Sequence, residues 1–402
     1  MRKHELLSPA GSLEICKAVL NAGADAVYLG GDKFGARAFA KNFTQNDIQE
    51  ALDFAHMRGK KIFLTVNTLL KNKEIETELF SYLKPLYEHG LDAVIVQDYG
   101  VFQFVHRNFP ELALHASTQM SVSNVSGAKF LMEHGAERIV TARELSRSEI
   151  RRIYDETGVE IESFIHGAMC ISYSGRCLLS NFFTGRDANQ GACTHPCRWK
   201  YSVVEETRPG EYMPVYENER GTYIFNSKDL CMIDAGIDSF KIEGRMKTAL
   251  YVATVARTYR KAIDDYLEDP KKYEANMPWY RDQISNCTYR QFTTGFDFGK
   301  PGDESQIYDS NTYIKEYTYL GIIGGIKDGM YRIEQRNKFS VGETVEIMKP
   351  DGQNVEVTVE KIIDEDGQEQ ESAPHPKQVL YVALSGEASV YDILRRQEGV
   401  TE

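Results

Sequence analysis

Five of the seven cysteines in this chain of 402 residues lie between Cys170 and Cys231. Cysteine thiolates bind soft centres such as zinc and iron–sulfur clusters, so this density predicts a metal site. Structural zinc sites usually pair cysteines with about two to four residues between them, and only Cys193 and Cys197 have that spacing here. The irregular spacing favours an iron–sulfur cluster in a long loop, whose fourth ligand is either Cys197 or Cys231. A zinc scaffold and a set of small buried cysteines are the alternatives.

Histidines near the cysteines keep a second kind of chemistry open. A cysteine protease needs its nucleophile within hydrogen-bond reach of a histidine. His166 lies four residues before Cys170, and His195 lies between Cys193 and Cys197, so a protease dyad is an alternative. The HExxH motif of zinc proteases is absent from the sequence. Because a protease needs one such cysteine, the number of cysteines favours the cluster.

The chain carries a formal net charge of −12, which argues against an overall electrostatic footprint for nucleic acid. Basic residues are nevertheless concentrated near the cysteines, in the runs RCLLSNFFTGR and CRWK. These runs predict either a local RNA-binding patch or an ordinary solvated face. The amino terminus lacks the apolar core of a signal peptide, and no run approaches the ~18 apolar residues of a membrane span. We therefore expect a cytoplasmic protein with no membrane segment, whose cysteines bind metal rather than form disulfides.

The elements that must position these residues follow a repeated pattern. Four times, a helical segment ends in a glycine that precedes an apolar strand, in segments beginning at Ala22, His89, His134 and Ala235. Further apolar runs give eight strands, near residues 5, 26, 62, 93, 112, 138, 161 and 239. Strands that alternate with helices are parallel, and eight such units in roughly 250 residues indicate an α/β fold of the (β/α)8 TIM-like barrel type. An open doubly wound sheet is the runner-up, although no GxGxxG turn follows the first strand.

Polar residues gather where the predicted strands end, and active sites of (β/α)8 barrels sit at the C-terminal ends of the strands. The candidates for catalysis are Asn67, His115, Gln119, Arg143, His166, Glu243 and Arg245. We expect these side chains to converge on one mouth and to hold an anionic or polar organic ligand, since guanidinium groups pair bidentately with carboxylates. The cysteine-rich loop begins at the end of the seventh strand, so we expect it to cover this mouth.

The sequence predicts three parts. Residues 1–268 form the barrel, with a cysteine-rich loop inserted at 166–230. Residues 269–312, which are polar and aromatic and contain several prolines, predict a linker or arm. Residues 313–402 alternate with period two and predict a small β-barrel domain, whose hairpins have Asp-Gly turns at Asp328, Asp351 and Asp366.

One stretch of the cysteine-rich region has a diagnostic pattern. The run ESFIHGAMC from Glu162 to Cys170, followed after four residues by GRCLLS from Gly175 to Ser180, resembles the motif of the collagenase-like peptidase family. The segments LLSPAG, HASTQM, CTHPCRWKY and FKIEGRMK are also similar to this family, so the resemblance extends over the whole chain. It implies a (β/α)8-like catalytic domain. The family is named for proteolysis, but similar members act in the oxygen-independent hydroxylation of tRNA wobble uridine, of a 23S rRNA cytidine and of ubiquinone precursors.

The resemblance also implies a cofactor. In several such members four cysteines hold a 4Fe-4S cluster, and Cys170, Cys177 and Cys193 match the first three ligands, with Cys231 expected as the fourth and Cys197 as its substitute. The CTHPCRW segment and the C-terminal barrel make the chain most similar to the members that act on tRNA uridine, with prephenate as the implied oxygen donor. The resemblance thus implies an iron–sulfur enzyme that supports 5-hydroxylation of the tRNA wobble uridine, with tRNA and prephenate as partners. A further protein is a candidate partner. A collagenase-like peptidase and a protein for 23S rRNA cytidine hydroxylation are the alternatives.

Overall fold

The computed structural model of the protein describes residues 4–36, 42–199, 202–204, 207–214, 225–227, 230–287, 292–300 and 316–398. The chain divides into two compact units. The first consists of residues 1–13, 25–246 and 290–312, and the second of residues 14–24, 247–289 and 313–402.

The first unit is built on a parallel sheet. The strands of this unit, in chain order, are β1 (Glu5–Pro9), β2 (Ala26–Leu29), β3 (Lys61–Val66), β4 (Ala93–Val96), β5 (Ala113–Ala116), β6 (Arg138–Val140), β7 (Glu160–Ala168), β8 (Ser202–Val204), β9 (Tyr212–Pro214), β10 (Phe225–Ser227) and β11 (Ser239–Ile242). Strands β1 to β7 pair in chain order, and β11 pairs in parallel with both β7 and β1. These eight strands therefore form a closed barrel, which confirms the predicted (β/α)8 fold. The open doubly wound sheet is wrong.

Helices alternate with the first seven barrel strands. They are α1 (Leu13–Asn21), α2 (Gln45–His56), α3 (Asn72–Glu74), α4 (Phe80–Glu88), α5 (Tyr99–Asn108), α6 (Val125–Glu133) and α7 (Arg147–Thr157), with a π-helical turn at Ile75–Leu79 before α4. Helices α2 and α7 begin at capping boxes formed by Thr44 with Asp47 and by Ser146 with Glu149. The four glycines of the predicted helix–strand joints all have positive φ, at Gly23, Gly90, Gly135 and Gly236. The repeated pattern read from the sequence is thereby confirmed.

The barrel interior combines an apolar layer with charged residues. Leu7, Tyr28, Phe63 and Ile95 pack together on the inner face. The strands beside them contribute ions instead of apolar side chains, because Arg138 on β6 reaches across to Glu5 on β1 at 2.6 Å. Two strands separate β6 from β1 in the ring, so this ion pair can form only through the interior.

The cysteine-rich loop follows β7, which is longer than the other barrel strands. Beyond the barrel, β7 pairs in antiparallel fashion with β10, in the register of Ser227 with His166. The loop contains the short helix α8 (Leu179–Thr184), and β8 and β9 form a small antiparallel pair. No helix in the described ranges is long and apolar enough to span a membrane.

The second unit contains α1 from Glu14 onward, the helices α9 (Ala249–Glu268) and α10 (Pro270–Ser285) and the strands β12 (Tyr317–Lys327), β13 (Met330–Glu334), β14 (Thr344–Met348), β15 (Asn354–Asp364), β16 (Glu369–Gln370), β17 (Val379–Leu384) and β18 (Ile393–Gln397). The strands are antiparallel in the order β14-β18-β12-β13-β17-β15-β16, and β14 also pairs with β15. That pairing closes six strands into the predicted small β-barrel. The Asp-Gly turns join successive strands where the sequence placed them, at Asp328, Asp351 and Asp366.

The predicted linker at 269–312 includes α10, so part of it is helical. Residues 301–315 lie outside the described residues. The predicted boundaries at residues 268 and 312 therefore stay predictions.

Candidate active site at the barrel mouth

Arg245 is enclosed at the mouth of the barrel. It follows β11 and is buried, and its Nη1 donates a 3.2 Å hydrogen bond to Thr65 Oγ1 at the end of β3. Its Nη2 donates to Asn42 Oδ1 at 3.1 Å. Gly30, after β2, leaves the space that the guanidinium fills, since a Cβ there would lie 2.2 Å from Nη1. Asn42 and Gly30 thus position Arg245, which was predicted from the sequence. Asn42 was not predicted.

Asn67 and Gln119 form a second pair on the same rim. The Asn67 Nδ2 donates to Gln119 Oε1 at 2.6 Å, and its Oδ1 accepts from the Ala36 backbone at 3.0 Å. Gln119 lies one short turn after β5, and its backbone amide donates to Ser117 Oγ at 3.2 Å. The structure therefore brings together two residues that the sequence placed on different strands.

Arg143 and Glu243 form a third pair. The Arg143 Nη1 donates to the Ala168 carbonyl at 2.8 Å, and the guanidinium carbon lies 3.7 Å from the centre of the Phe164 ring. Its Nη2 lies 3.6 Å from Glu243 Oε2. A guanidinium stacked on an aromatic ring and held by a backbone carbonyl keeps a fixed orientation. Arg143 thus offers an oriented positive charge where β6, β7 and β11 end.

His166 lies within β7 rather than after it. Its backbone carbonyl accepts a 2.9 Å hydrogen bond from the Glu243 amide. Its ring is buried, with its centroid 5.7 Å from that of Phe292. His166 therefore helps to position Glu243 through its backbone carbonyl.

His115 lies inside β5 and not beyond its end, which corrects the placement expected from the sequence. Its ring makes an edge-to-face contact with Phe63 in the barrel interior, with centroids 4.8 Å apart. Burial lowers the pKa of His115 well below its ordinary value, and the positive charges of Arg138 and Lys241 act in the same direction. His115 is therefore a neutral residue one layer below the mouth.

The sequence missed a buried charge network beneath the mouth. Glu162 has a fully buried side chain that accepts from Lys241 Nζ at 2.6 Å and lies 3.4 Å from Arg138 Nη1. Burial alone would lower the pKa of Arg138, but the charges of Glu5 and Glu162 outweigh it and raise the pKa. A glutamate within the seventh strand, between Ile161 and Ser163, was the available signal.

The cysteine-rich loop is fastened over the strand ends, as expected. The Asn189 carbonyl accepts from the Leu69 amide after β3 and from Gln97 Nε2 after β4, both at 3.2 Å. Ser121, after β5, donates to the Ser174 carbonyl at 3.2 Å. Gly175 lies against Gln119, so that a Cβ there would meet the Gln119 carbonyl at 2.6 Å. The loop therefore covers the part of the mouth that contains Gln119.

The loop cysteines differ from the cysteines of the core. Cys170 is exposed, whereas Cys177, Cys193 and Cys197 are half-buried, and no disulfide joins the cysteines whose side chains are described. The Cys231 side chain lies outside the described residues. No group of three or more His, Cys, Asp or Glu side chains arranged to bind a metal occurs in the described part of the chain, so the complete predicted set is untested.

The donor chemistry of the loop fits a thiolate-bound cluster. Metal ligation requires deprotonated thiols, and burial raises the pKa of both core cysteines, Cys16 and Cys287, to about 12. The two core cysteines are therefore poor candidates for ligands, which leaves the cysteines of the loop.

Two family models match this chain. The model described as Peptidase family U32 matches residues 11–307, and the model described as Peptidase family U32 C-terminal domain matches residues 315–395. Together they cover both the parallel barrel and the antiparallel barrel.

Several named proteins are similar to the chain. The "tRNA hydroxylation protein P1" of Bacillus subtilis is 40% identical over 404 residues, which cover 98% of this chain and 95% of that protein. The "tRNA hydroxylation protein P" of Escherichia coli is 36% identical, with 93% of this chain and 92% of that protein covered. The "23S rRNA 5-hydroxycytidine C2501 synthase" of Escherichia coli is 43% identical over 268 residues, which cover 66% of this chain and 40% of that protein.

Proposed function

Because the chain belongs to peptidase family U32, and the two relatives described above that match more than nine-tenths of it are named for tRNA hydroxylation, we propose that it supports the hydroxylation of tRNA. The observation that carries this proposal is the 40% identity with the Bacillus subtilis protein over 98% of the chain. The proposed reaction is 5-hydroxylation of the wobble uridine. Identity at this level over both units makes a shared substrate class the simplest account.

The two alternatives have weaker support. The rRNA-directed relative shares only 40% of its own length with this chain. A cysteine protease would need a histidine beside its nucleophile, whereas His166 is buried against Phe292 and Cys170 is exposed. Both alternatives predict results that nucleoside analysis and protease assays can distinguish from the proposed one.

We propose that the loop holds a 4Fe-4S cluster through Cys170, Cys177, Cys193 and Cys231, with Cys197 as a substitute ligand. The support is the partial exposure of the described loop cysteines and their position in the loop that is fastened over the strand ends. Such a cluster supplies electron transfer. The side chains of the mouth would bind and orient the reacting molecules.

Arg143 and Arg245 are proposed to bind the oxygen donor, a carboxylate such as prephenate. Replacing the C5–H bond of uracil by C5–OH oxidises the base by two electrons, so the donor gives up one oxygen atom and is reduced by the same two electrons. Arginine binds carboxylates through two parallel hydrogen bonds, and both arginines already have fixed orientations at the strand ends. Their role is to orient the donor, while Asn67 and Gln119 offer amide groups to a polar ligand at the ends of β3 and β5.

The substrate assignment is tested by mass spectrometry of tRNA and 23S rRNA nucleosides from a deletion strain. Loss of 5-hydroxyuridine and its derivatives from tRNA, with unchanged 5-hydroxycytidine in rRNA, is the expected result. The reverse pattern would replace the proposed substrate by rRNA.

The donor assignment is tested with Arg143→Ala and Arg245→Ala. Both should abolish hydroxylation while the visible absorbance of the anaerobically purified protein persists. The control is Arg151→Ala, which removes an exposed arginine paired with Asp155 on α7. Loss of absorbance in the mouth variants would show a structural role instead.

A further inference from the structure

The cysteine-rich loop exposes aromatic side chains that the fold does not bury. Phe182 is 82% exposed, Phe183 is 46% exposed and Trp199 is 43% exposed. The rings of Phe182 and Phe183 have centroids 5.3 Å apart, and those of Phe183 and Trp199 are 6.3 Å apart. These three residues, called the loop aromatic surface, form a continuous row of rings. Contiguous exposed apolar residues usually mark a binding surface.

A groove adjoins this row and shares one of its residues. It has a volume of about 460 Å³ and is lined by Phe182 together with Ile171, Arg176, Cys177 and Leu178. That volume lies within the usual range for small-ligand pockets, roughly 300–1,000 Å³. The groove is therefore large enough for a single unstacked base, and it has a proposed cluster ligand in its wall.

The charge of the loop differs from that of the whole chain. Between residues 169 and 200 the sequence has three arginines and one lysine against a single aspartate, in a chain of net charge −12. Two of these arginines, Arg176 and Arg186, are exposed on the structure. A cationic segment on an anionic protein is complementary in charge to a polyanion such as RNA. An apolar protein partner would not match this charge.

We propose that the loop aromatic surface and the adjoining groove bind unstacked bases of a single-stranded RNA loop, with Arg176 and Arg186 contacting its phosphates. Single-stranded RNA is recognised mainly by stacking of splayed bases on aromatic rings, and base chemistry requires the target to leave the stack. The wobble base lies in such a loop. The inference rests on the proposed function, and it assigns the part of the protein that holds the substrate.

Binding of a fluorescein-labelled, unmodified anticodon stem-loop with uridine at the wobble position tests the inference by fluorescence anisotropy. Phe182→Ala and Trp199→Ala should each raise the Kd by at least about fivefold, the effect of losing one stacked base. Phe182→Tyr, which keeps a ring, should bind within about twofold of wild type. The matched control is Phe130→Ala on α6, whose side chain is 48% exposed, and it should not change the Kd.

Arginine variants separate phosphate contacts from stacking. Arg176→Gln and Arg186→Gln should each reduce the slope of log K against log salt by roughly 0.7, the value for one phosphate contact on a single strand. Phe182→Ala should lower the affinity without changing that slope. Equal slopes in all the variants would overturn the assigned phosphate contacts.

Two further outcomes would overturn the inference while leaving the proposed function intact. In the first outcome, a deletion strain loses tRNA hydroxyuridine, and wild type and Phe182→Ala restore it equally. The two proteins also bind the RNA with equal affinity. The other is self-association of the wild-type protein that Phe182→Ala abolishes without any change in RNA binding, which would make the surface a protein interface. A deletion strain that keeps its tRNA hydroxyuridine would instead refute the proposed function.

Discussion

The guanidinium of Arg245 occupies the space beside Gly30 that a side chain would otherwise fill. Its Nη1 donates to Thr65 Oγ1 at 3.2 Å, and a Cβ on Gly30 would lie 2.2 Å from the same nitrogen. Because Gly30 has no side chain, the positively charged guanidinium of Arg245 can occupy this position at the barrel mouth.

We predict that Gly30→Ala displaces the Arg245 guanidinium and lowers tRNA hydroxylation at least about tenfold, since small misplacements of binding groups cost large factors in rate. The displaced atoms are the far end of a flexible side chain, so the loss of folding stability should lie at the lower end of the roughly 1–3 kcal/mol that overpacking costs. The control is Gly35→Ala, because a Cβ there would meet Thr65 and Arg245 only at 3.5 and 3.7 Å. Nucleoside mass spectrometry of complemented strains measures both. Equal losses would contradict the prediction.

The cysteine assignment predicts a pattern of colour. Alanine at Cys170, Cys177, Cys193 or Cys231 should remove the broad visible absorbance of anaerobically purified protein. Alanine at Cys16 should leave it, because burial raises the pKa of that thiol to about 12 and keeps it protonated. Iron and sulfide analysis on the same samples provides the measurement.

Two results would change the cysteine assignment. Loss of colour in Cys197→Ala but not in Cys231→Ala would identify Cys197 as the fourth ligand of the cluster. A colourless wild-type protein that contains zinc would contradict the cluster altogether.

The fold could be predicted from the sequence because its signals are local. The glycines at positions 23, 90, 135 and 236 mark helix ends, and all four have the positive φ that such ends require. The closure of the ring through β11 and β1 could not be predicted in the same way. That contact joins residues more than two hundred positions apart, and no local pattern encodes it.

Breaking the buried ion network should destabilise the barrel. The Glu162 side chain is 0% exposed and lies between Lys241 and Arg138. Glu162→Gln removes its charge and should lower the free energy of unfolding by roughly 3–5 kcal/mol. Glu160→Gln is the matched control, since Glu160 also contacts Arg138, at 2.9 Å, but its side chain is 53% exposed. Its loss should be about 0–1 kcal/mol. Urea unfolding measures both, and equal effects would show that burial does not determine the cost.

His115 should make the protein less stable in mild acid. Its pKa is lowered in the folded state by burial and by the neighbouring Arg138, so below about pH 6.5 the unfolded chain binds a proton that the folded chain does not. Stability should therefore fall as the pH drops, by up to about 1.4 kcal/mol per pH unit for this residue. Above that pH the histidine is neutral in both states and contributes nothing to the pH dependence.

The His115 prediction is checked by urea unfolding between about pH 5 and 7. His115→Gln should flatten the pH dependence, and His106→Gln, at an exposed histidine on α5, should not. An unchanged slope in His115→Gln would contradict the prediction.

The positions of the candidate site residues were predicted in part. Residues that follow strands, such as Arg143 and Arg245, could be placed at the mouth because parallel strands end at one edge. His115 was placed too high, since the sequence does not show within one or two residues where a strand stops. Asn42 and the network around Glu162 were missed because they depend on contacts between segments far apart in the sequence.

We propose that the protein supports tRNA wobble-uridine hydroxylation through its cysteine-rich loop. The most direct test measures 5-hydroxyuridine and its derivatives, by mass spectrometry of purified tRNA, in a deletion strain complemented with wild type, with Cys177→Ala or with empty vector. We expect wild type to restore the modification, and Cys177→Ala and the empty vector to leave it absent. Modification that persists in the empty-vector strain, together with gelatin cleavage by wild type that Cys170→Ala abolishes, would contradict the claim in favour of a peptidase.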